Sequence, residues 1–196
     1  MKEKLIDAAL NQYSLHGYHG ATMRKIAAEV DIKPASIYFF YENKEELFIA
    51  AFKQLLNNHF KAIEQVLINS KNSPVTEIFT ALLHGIVAHH KGDEQSTTAY
   101  ISLVTSPIPG ISKHLNSYML YINDYLVESL GSVLKKSYPL MSTHEVDRVI
   151  KQWVFIGNGV FWGIKLYEGD AFNEQVDLAE KMIQTLFLEL EKKYAK

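Results

Sequence analysis

Residues 20–48 read GATMRKIAAEVDIKPASIYFFYENKEELF, and this stretch decides the fold. Thr22 is a good N-cap for a short helix, and Pro34 presets the first turn of a second one. Asp31 lies between them, where a tight turn needs the left-handed conformation that Asp tolerates better than most residues. Two short helices joined by a tight turn form a helix-turn-helix, whose second helix enters the major groove of DNA.

The rest of the chain has helical periodicity. Apolar residues recur every three or four positions, and no segment shows sustained alternation with a period of two. Helix starts are predicted at Asn43 with Glu46 and at Ser142 with Glu145, and Gly17 is predicted to end the first helix. Other glycines and prolines mark further helix ends. The pattern predicts an all-α protein with three short helices followed by six longer ones. The predicted helices cover about residues 4–16, 23–30, 34–40, 43–69, 73–91, from a turn at 92–93 to a break at 106–110, 112–136, 142–168 and 173–194.

Composition limits the class of protein. Of the 196 residues, 47% are hydrophobic, which is ordinary for a globular protein with a sizeable core. The chain has no cysteine, so disulfides and thiolate chemistry are excluded. No window approaches the roughly 18 consecutive apolar residues of a membrane span, and the first residues form an amphipathic stretch instead of a signal segment. We therefore expect a cytoplasmic protein with no membrane partner.

The charge balance gives no support to DNA binding by itself. The formal net charge is -2, and residues 1–50 hold six Lys or Arg against seven Asp or Glu. DNA-binding domains usually have a basic excess, because their cations release counterions from phosphate. The prediction of DNA binding therefore depends on where particular residues lie.

The quoted stretch resembles the signature of the TetR (tetracycline-repressor-like) family of transcriptional regulators. The matching pattern is Thr-x-Arg-x-Ile-Ala at 22–27, an Ile-Tyr pair at 37–38 followed by aromatic residues, and Lys-Glu-x-Leu at 44–47. The motif match covers about residues 5–50. The helical layout and the chain length agree with the family over the remainder.

The resemblance implies a nine-helix, TetR-like architecture with two domains. Residues 1–46 are expected to form the helix-turn-helix DNA-binding domain, and residues 47–196 the ligand-binding and dimerisation domain. Two positions depart from the family pattern: Asp31 replaces the usual turn glycine, and Phe39 stands where His is often found. Neither departure conflicts with the fold, since Asp tolerates the left-handed region.

The resemblance also implies a function. The expected protein is a sequence-specific transcriptional regulator, a homodimer that represses from a palindromic operator and is released by an unidentified small-molecule effector. Two alternatives stay open: an activator or ligand-independent DNA-binding dimer, and a small-molecule-binding protein or enzyme that does not bind DNA. No nucleophile, base and orienting group are evident together, so we expect neither enzymatic activity nor a cofactor.

The family's DNA contacts transfer to eight positions of this sequence. Thr22 and Arg24 lie at the start of the first short helix, Tyr38 lies on the recognition helix, and Lys44 lies at the start of the helix that follows. The resemblance implies phosphate contacts for these four residues. Contacts with base edges or thymine methyl groups are implied for the outer face of the recognition helix: Lys33, Ala35, Ser36 and Phe39.

The last two predicted helices indicate a second copy of the chain. The segment 153–167 is apolar nearly all round, and a helix of this kind must be buried on every side. In so small a domain, packing against the same helices of a partner chain satisfies that requirement, as in the four-helix dimer interface of the TetR family. The interface residues expected from this are Phe155, Trp162, Leu166, Leu178, Met182 and Leu186.

The middle helices supply candidates for an effector pocket. Aromatic side chains with polar ends suit an amphipathic cavity, although a plain core or surface role is equally open for each. The candidates are Tyr100, Tyr118, Tyr121, Tyr125 and Trp153. His84, His89 and His90 lie near Asp93, but their spacing is poor for a shared helical face, so we expect no metal.

Overall fold

The computed structural model describes residues 1–105 and 108–194, and in these ranges the chain forms nine α-helices and no strand. The prediction of an all-α protein is confirmed. The helices are α1 (Lys2–Gly20), α2 (Met23–Glu29), α3 (Pro34–Ile37), α4 (Lys44–Ser70), α5 (Val75–Gly92), α6 (Glu94–Thr105), α7 (Pro109–Ser137), α8 (Thr143–Leu166) and α9 (Gly169–Tyr194).

Helix α1 is interrupted at Gly17, the residue at which the sequence predicts its end. Gly17 has φ 63 and ψ 179, a backbone conformation that a residue with a Cβ adopts only with strain. Its carbonyl oxygen accepts a hydrogen bond of 3.0 Å from the N–H of Ala21. The chain therefore turns after Gly17 and makes one more helical turn, which contains Tyr18, before α2.

The predicted cap and turn residues of the helix-turn-helix have their expected roles. The Thr22 hydroxyl oxygen accepts a hydrogen bond from the N–H of Lys25 at 3.3 Å, which caps α2. Asp31 has φ 53 and is the one non-glycine residue with positive φ in the described chain. Pro34 is the first residue of α3.

The recognition helix α3 is shorter than predicted. It ends at Ile37 instead of near Phe40. The N–H groups of Phe39 and Phe40 bond to carbonyl oxygens three residues back, Phe39 to Ser36 at 3.4 Å and Phe40 to Ile37 at 2.8 Å. This is the spacing of tight turns and 3₁₀ structure, so the α-helical bond pattern is lost earlier than the sequence predicts.

Replacing Asp31 with alanine is expected to lower the free energy of unfolding by about 1 kcal/mol, because a left-handed backbone crowds the Cβ. Asp31→Gly is the matched control, since glycine adopts this conformation without that penalty. We expect the glycine variant to unfold at or above the wild-type temperature in a melt followed by circular dichroism. Equal losses in both variants would assign the effect to the missing carboxylate instead.

Other helix ends agree with the predicted caps, with shifts of a few residues. The Asn43 side-chain oxygen accepts from the N–H of Glu46 at 2.9 Å, as a cap of α4 should. Ser142 and Glu145 form the capping box at the start of α8. Helix α7 begins at Pro109, earlier than predicted. Of the predicted break before it, residues 106–107 lie outside the described chain.

The described residues pack as two compact units. The first consists of Met1–Phe60 with the described part of Asp93–Tyr121, and the second of Lys61–Gly92 with the described residues from Ile122 onward. Helices α4 and α7 each have residues in both units. These units are defined by contacts within the chain, whereas the predicted domain boundary between residues 46 and 47 separates DNA binding from effector binding and dimerisation. That boundary stays a prediction.

The core of the first unit holds an aromatic cluster between α1 and α4. Tyr13 lies edge-on to Phe52, with ring centroids 4.9 Å apart, and Phe48 lies 5.6 Å from Phe52. Tyr18, after the kink in α1, lies edge-on to Phe48 at 5.1 Å. Edge-to-face pairs at these distances add to the stabilisation from burial, so α1 is held firmly on the first half of α4.

The core of the second unit is formed by α5, α8 and α9, with buried residues of α4 and α7. Phe79 is fully buried, with its ring 4.9 Å from that of Phe187. Glu145 also ties α8 to α9, because its carboxylate accepts from the ammonium of Lys193, which holds the pKa of Glu145 well below its usual range. Across the ranges 1–105 and 108–194, none of the helices has the length and apolar character needed to cross a membrane.

Candidate nucleic-acid interface

The end of the recognition helix presents two adjacent aromatic side chains to solvent. Tyr38 is 56% exposed and Phe39 is 86% exposed, while Ile37 beside them is completely buried. Ile37 therefore anchors α3 to the core and turns the next two residues outward. Large exposed aromatic side chains on a short helix are informative, because such groups are usually at least partly buried in a protein that has no partner.

The other residues predicted to face base edges lie on the same short helix or directly before it. Lys33 precedes α3 and is exposed, as is Ala35. Ser36 is half-buried, and its carbonyl accepts from Phe39. With Phe39 they form a surface that combines one cation, one hydroxyl, one methyl group and one ring, the mixture that reads a major groove.

The start of α2 presents the two residues predicted to contact phosphates there. Thr22 and Arg24 are both exposed. The Thr22 hydroxyl oxygen accepts the capping hydrogen bond, and its own hydrogen can still be donated to a phosphate oxygen. The guanidinium of Arg24 offers five donors in a planar fork that suits phosphate.

Lys44 differs from the other predicted phosphate contacts, because its ammonium has partners inside the chain. Its Nζ donates a hydrogen bond to the backbone carbonyl oxygen of Tyr18. The same Nζ lies 4.3 Å from the ring centroid of Tyr18 and 5.7 Å from that of Phe48. Burial lowers the pKa of Lys44.

A polar contact between α1 and α2 was not predicted from the sequence. The Glu29 carboxylate accepts from the side-chain amide of Asn11 at 2.6 Å and from that of Gln12 at 2.8 Å. These two hydrogen bonds to a charged acceptor fix α2 on α1. No local signal could have found them, because the partners are 17 and 18 residues apart.

In the second unit, α8 and α9 present the apolar side chains predicted to form a dimer interface. Phe155 is 77% exposed and Trp162 is 38% exposed, both on α8. A groove of about 910 Å³ runs along α8 and α9, with Phe155, Leu178, Met182 and Leu186 among its lining residues. Exposed apolar side chains gathered along two neighbouring helices mark an interaction surface.

The predicted pocket residues of the first unit lie near other aromatic groups. The Tyr118 hydroxyl donates to the side-chain oxygen of Asn57 at 3.2 Å. Its ring lies 6.4 Å from that of Tyr121, which is exposed. Tyr100 is half-buried, 5.4 Å from the ring of His59. A role for these tyrosines in effector binding stays a prediction.

The two predicted pocket residues of the second unit have different environments. Tyr125 is half-buried. Trp153 is only 2% exposed and is part of the core, where its indole N–H donates to the carbonyl oxygen of Phe79 at 3.0 Å. The ring of Phe79 lies edge-on to the indole at 5.8 Å. These contacts give Trp153 a structural role in the core, and a role in effector binding stays a prediction.

The histidines of α5 lie against different neighbours. Nε2 of His84 is 3.1 Å from a carboxylate oxygen of Glu180 on α9. The ring of His90 is buried and packs on Phe161 at 4.8 Å. The imidazoles of His84 and His90 therefore have separate roles in packing α5 on α8 and α9.

The chain is similar to known regulators over most of its length. Residues 5–51 match the family model described as bacterial regulatory proteins, tetR family. The biofilm operon icaADBC HTH-type negative transcriptional regulator IcaR of Staphylococcus aureus (strain Newman) is 30% identical over 153 residues, 76% of this chain and 78% of IcaR. IcaR of Staphylococcus epidermidis is 29% identical over 132 residues, 66% of this chain and 67% of that protein.

A solved structure has the same fold. The transcriptional regulator FadR from Bacillus subtilis, in complex with stearoyl-CoA, superposes with a TM-score of 0.71 at 18% sequence identity. The superposition covers 95% of this chain and 97% of FadR. At this identity the similarity concerns the fold and not the ligand.

Proposed function

Because the chain belongs to the TetR family of bacterial regulatory proteins, we propose that it represses transcription as a homodimer on a palindromic operator and is released by a small molecule. The family consists of DNA-binding transcriptional regulators, and repression needs no catalytic residue. In this proposal residues 1–46 bind DNA, residues 47–196 bind the effector and form the dimer, and the protein acts in the cytoplasm.

The observation that supports DNA binding most directly is the exposed pair Tyr38 and Phe39 at the end of α3. A phenol beside a phosphate and a ring against a thymine methyl group are both favourable contacts at a groove edge. We propose that Thr22, Arg24, Tyr38 and Lys44 contact phosphates. We propose that the outer surface of the recognition helix contacts the base edges. Its residues are Lys33, Ala35, Ser36 and Phe39.

The dimer in this proposal forms through the exposed apolar side chains of α8 and α9. A two-fold axis there pairs identical patches, so that each apolar side chain removed from water in one copy has an equivalent in the other. The proposed interface residues are Phe155, Trp162, Leu166, Leu178, Met182 and Leu186. Two recognition helices about one DNA turn apart, roughly 34 Å, can then read a palindrome.

Release by an effector requires two forms of the dimer with different affinities for DNA. A small molecule shifts the balance only if it binds one form more tightly, and a nearly complete release needs a difference of several kcal/mol. FadR of Bacillus subtilis was solved with stearoyl-CoA, so this fold can hold a small molecule. For this chain we propose an effector of unspecified chemistry and α4 as the helix that moves. The candidate contact residues are the aromatic residues Tyr100, Tyr118, Tyr121, Tyr125 and Trp153.

Selection from random duplex DNA, followed by a salt titration of the enriched sequence, tests this function. We expect a palindrome, with affinity that falls steeply as salt rises, because phosphate contacts release counterions. Affinity unchanged by every small molecule that shifts the melting temperature would favour a ligand-independent dimer or an activator. Absence of salt-dependent binding to any duplex would exclude a DNA-binding regulator.

Tyr38 and Phe39 are expected to contribute differently to recognition. Tyr38→Ala should weaken binding to the operator and to unrelated duplexes by a similar factor of about tenfold, because a phosphate contact is independent of sequence. Phe39→Ala should instead change which base is preferred at one position of the half-site. The base preference of each variant is measured by repeating the selection. Its affinity is measured by filter binding to the operator and to one unrelated duplex.

Tyr38→Phe is the matched control, since it removes only the hydroxyl group. It should reproduce most of the loss seen in Tyr38→Ala if the phenol donates to a phosphate. Wild-type affinity in Tyr38→Ala, for both duplexes, would show that Tyr38 lies away from the DNA.

A further inference from the structure

The family resemblance assigns Lys44 to a DNA phosphate, and its ammonium also has partners within the first unit. It donates to the Tyr18 carbonyl and lies 4.3 Å from the Tyr18 ring centroid. The ring of Phe48, one turn further along α4, is 5.7 Å away. A cation over aromatic rings that also donates to a carbonyl is stabilised by two separate interactions.

The backbone of α1 is arranged so that this carbonyl is available. Gly17, with φ 63, ends the regular part of α1 and turns Tyr18 toward α4. The Tyr18 ring then packs edge-on against the fully buried Phe48 at 5.1 Å. Burial next to Glu45 raises the pKa of the Tyr18 phenol, which agrees with a ring seated on the first turn of α4.

We propose that Lys44 is also a positioning residue, which holds the first turn of α4 on α1 through Tyr18 in addition to the phosphate contact that the family resemblance implies. This inference rests on the proposed function only in so far as DNA binding is its readout. The contact of Lys44 with Tyr18 exists in the chain alone, so its effect on folding can be measured separately.

The position of α1 is passed on to the recognition surface through α2. Asn11 and Gln12 of α1 hold the carboxylate of Glu29 on α2. Helix α2 is joined to α3 by the tight turn in which the N–H of Ile32 donates to the carbonyl of Ala27 at 3.0 Å. Loosening α4 from α1 therefore disturbs the base on which α2 and α3 are placed.

The experiment compares Lys44→Met with Arg24→Met, which removes a charge of the same sign from an exposed residue predicted to contact phosphate. For Lys44→Met we expect a melting temperature lower by about 3 °C and an operator affinity about fivefold weaker, equivalent to one ordinary hydrogen bond. Arg24→Met should keep its melting temperature and lose about one unit of the salt slope.

Two further variants make the outcome decisive. Lys44→Arg keeps a donor for the Tyr18 carbonyl and should restore most of the melting temperature and the affinity. Tyr18→Leu removes the ring while it keeps an apolar contact with Phe48, and it should lower the melting temperature with an unchanged salt slope. This variant replaces Lys44→Met if the latter does not fold.

The opposite result is equally clear. A Lys44→Met protein with the wild-type melting temperature and a salt slope reduced by about one would make Lys44 a phosphate contact alone, and the inference would be overturned. If the wild-type protein shows no salt-dependent DNA binding, the proposed function fails. The difference in melting temperature between Lys44→Met and Arg24→Met then still decides whether Lys44 joins α1 to α4.

Discussion

Phe155→Glu is expected to turn the protein into a monomer and to weaken operator binding by about 100-fold or more, because two linked half-site contacts become one. Phe155 is 77% exposed in the single chain and lines the groove along α8 and α9. A carboxylate there is solvated in the monomer, but it is buried without a partner in a dimer formed through this surface. The folding of the monomer should change little.

Leu140→Glu is the matched control for this prediction. Leu140 is an exposed apolar residue of the same unit, and it lies between α7 and α8, outside the groove. It receives the same charge and should stay dimeric with wild-type affinity. Sedimentation equilibrium gives the mass of each variant and filter binding gives its affinity. A dimeric Phe155→Glu protein would show that the two copies meet elsewhere.

Trp153→Ala is expected to lower the free energy of unfolding by about 3–5 kcal/mol, since it removes a buried indole and leaves a cavity. Trp153 is 2% exposed within the core of the second unit. Its N–H is the donor for the carbonyl oxygen of Phe79. The variant therefore loses both packing and the hydrogen bond of the indole.

Trp153→Phe separates these two losses. It keeps an aromatic ring against Phe79 but removes the indole donor. We expect a loss of about 1 kcal/mol, because the Phe79 carbonyl keeps its hydrogen bond within α5. Urea unfolding followed by circular dichroism measures both variants. Wild-type stability in Trp153→Ala, together with loss of the response to an effector, would show that Trp153 serves effector binding and not the core.

Much of the helix-turn-helix could be predicted from the sequence because its signals are local. The cap at Thr22, the proline at the start of α3 and the left-handed residue Asp31 each act within a few residues of their own position. The same holds for the capping box of Ser142 and Glu145. Interactions of this kind depend on neighbouring backbone groups alone, so composition and spacing suffice to find them.

The remaining features depend on contacts between residues far apart in sequence. Lys44 could be read only as a cation at a helix start, because its partner Tyr18 is 26 residues away. Periodicity also treats Trp153 and Trp162 alike, although one is in the core and the other on the surface. A helix that is apolar all round does not reveal which of its faces packs within the chain.

The different environments of these two indoles have a practical consequence for spectroscopy. They are the only tryptophans in the 196 residues. The emission of Trp153, buried against Phe79, shifts to longer wavelength when the second unit unfolds. Trp162 is 38% exposed on α8, so an aqueous quencher such as iodide reaches it in a single chain and is excluded when a partner covers that surface. Heating therefore follows the unfolding of the second unit through Trp153, and dilution follows the loss of a partner chain through Trp162. Folding and assembly can be measured in one unlabelled sample.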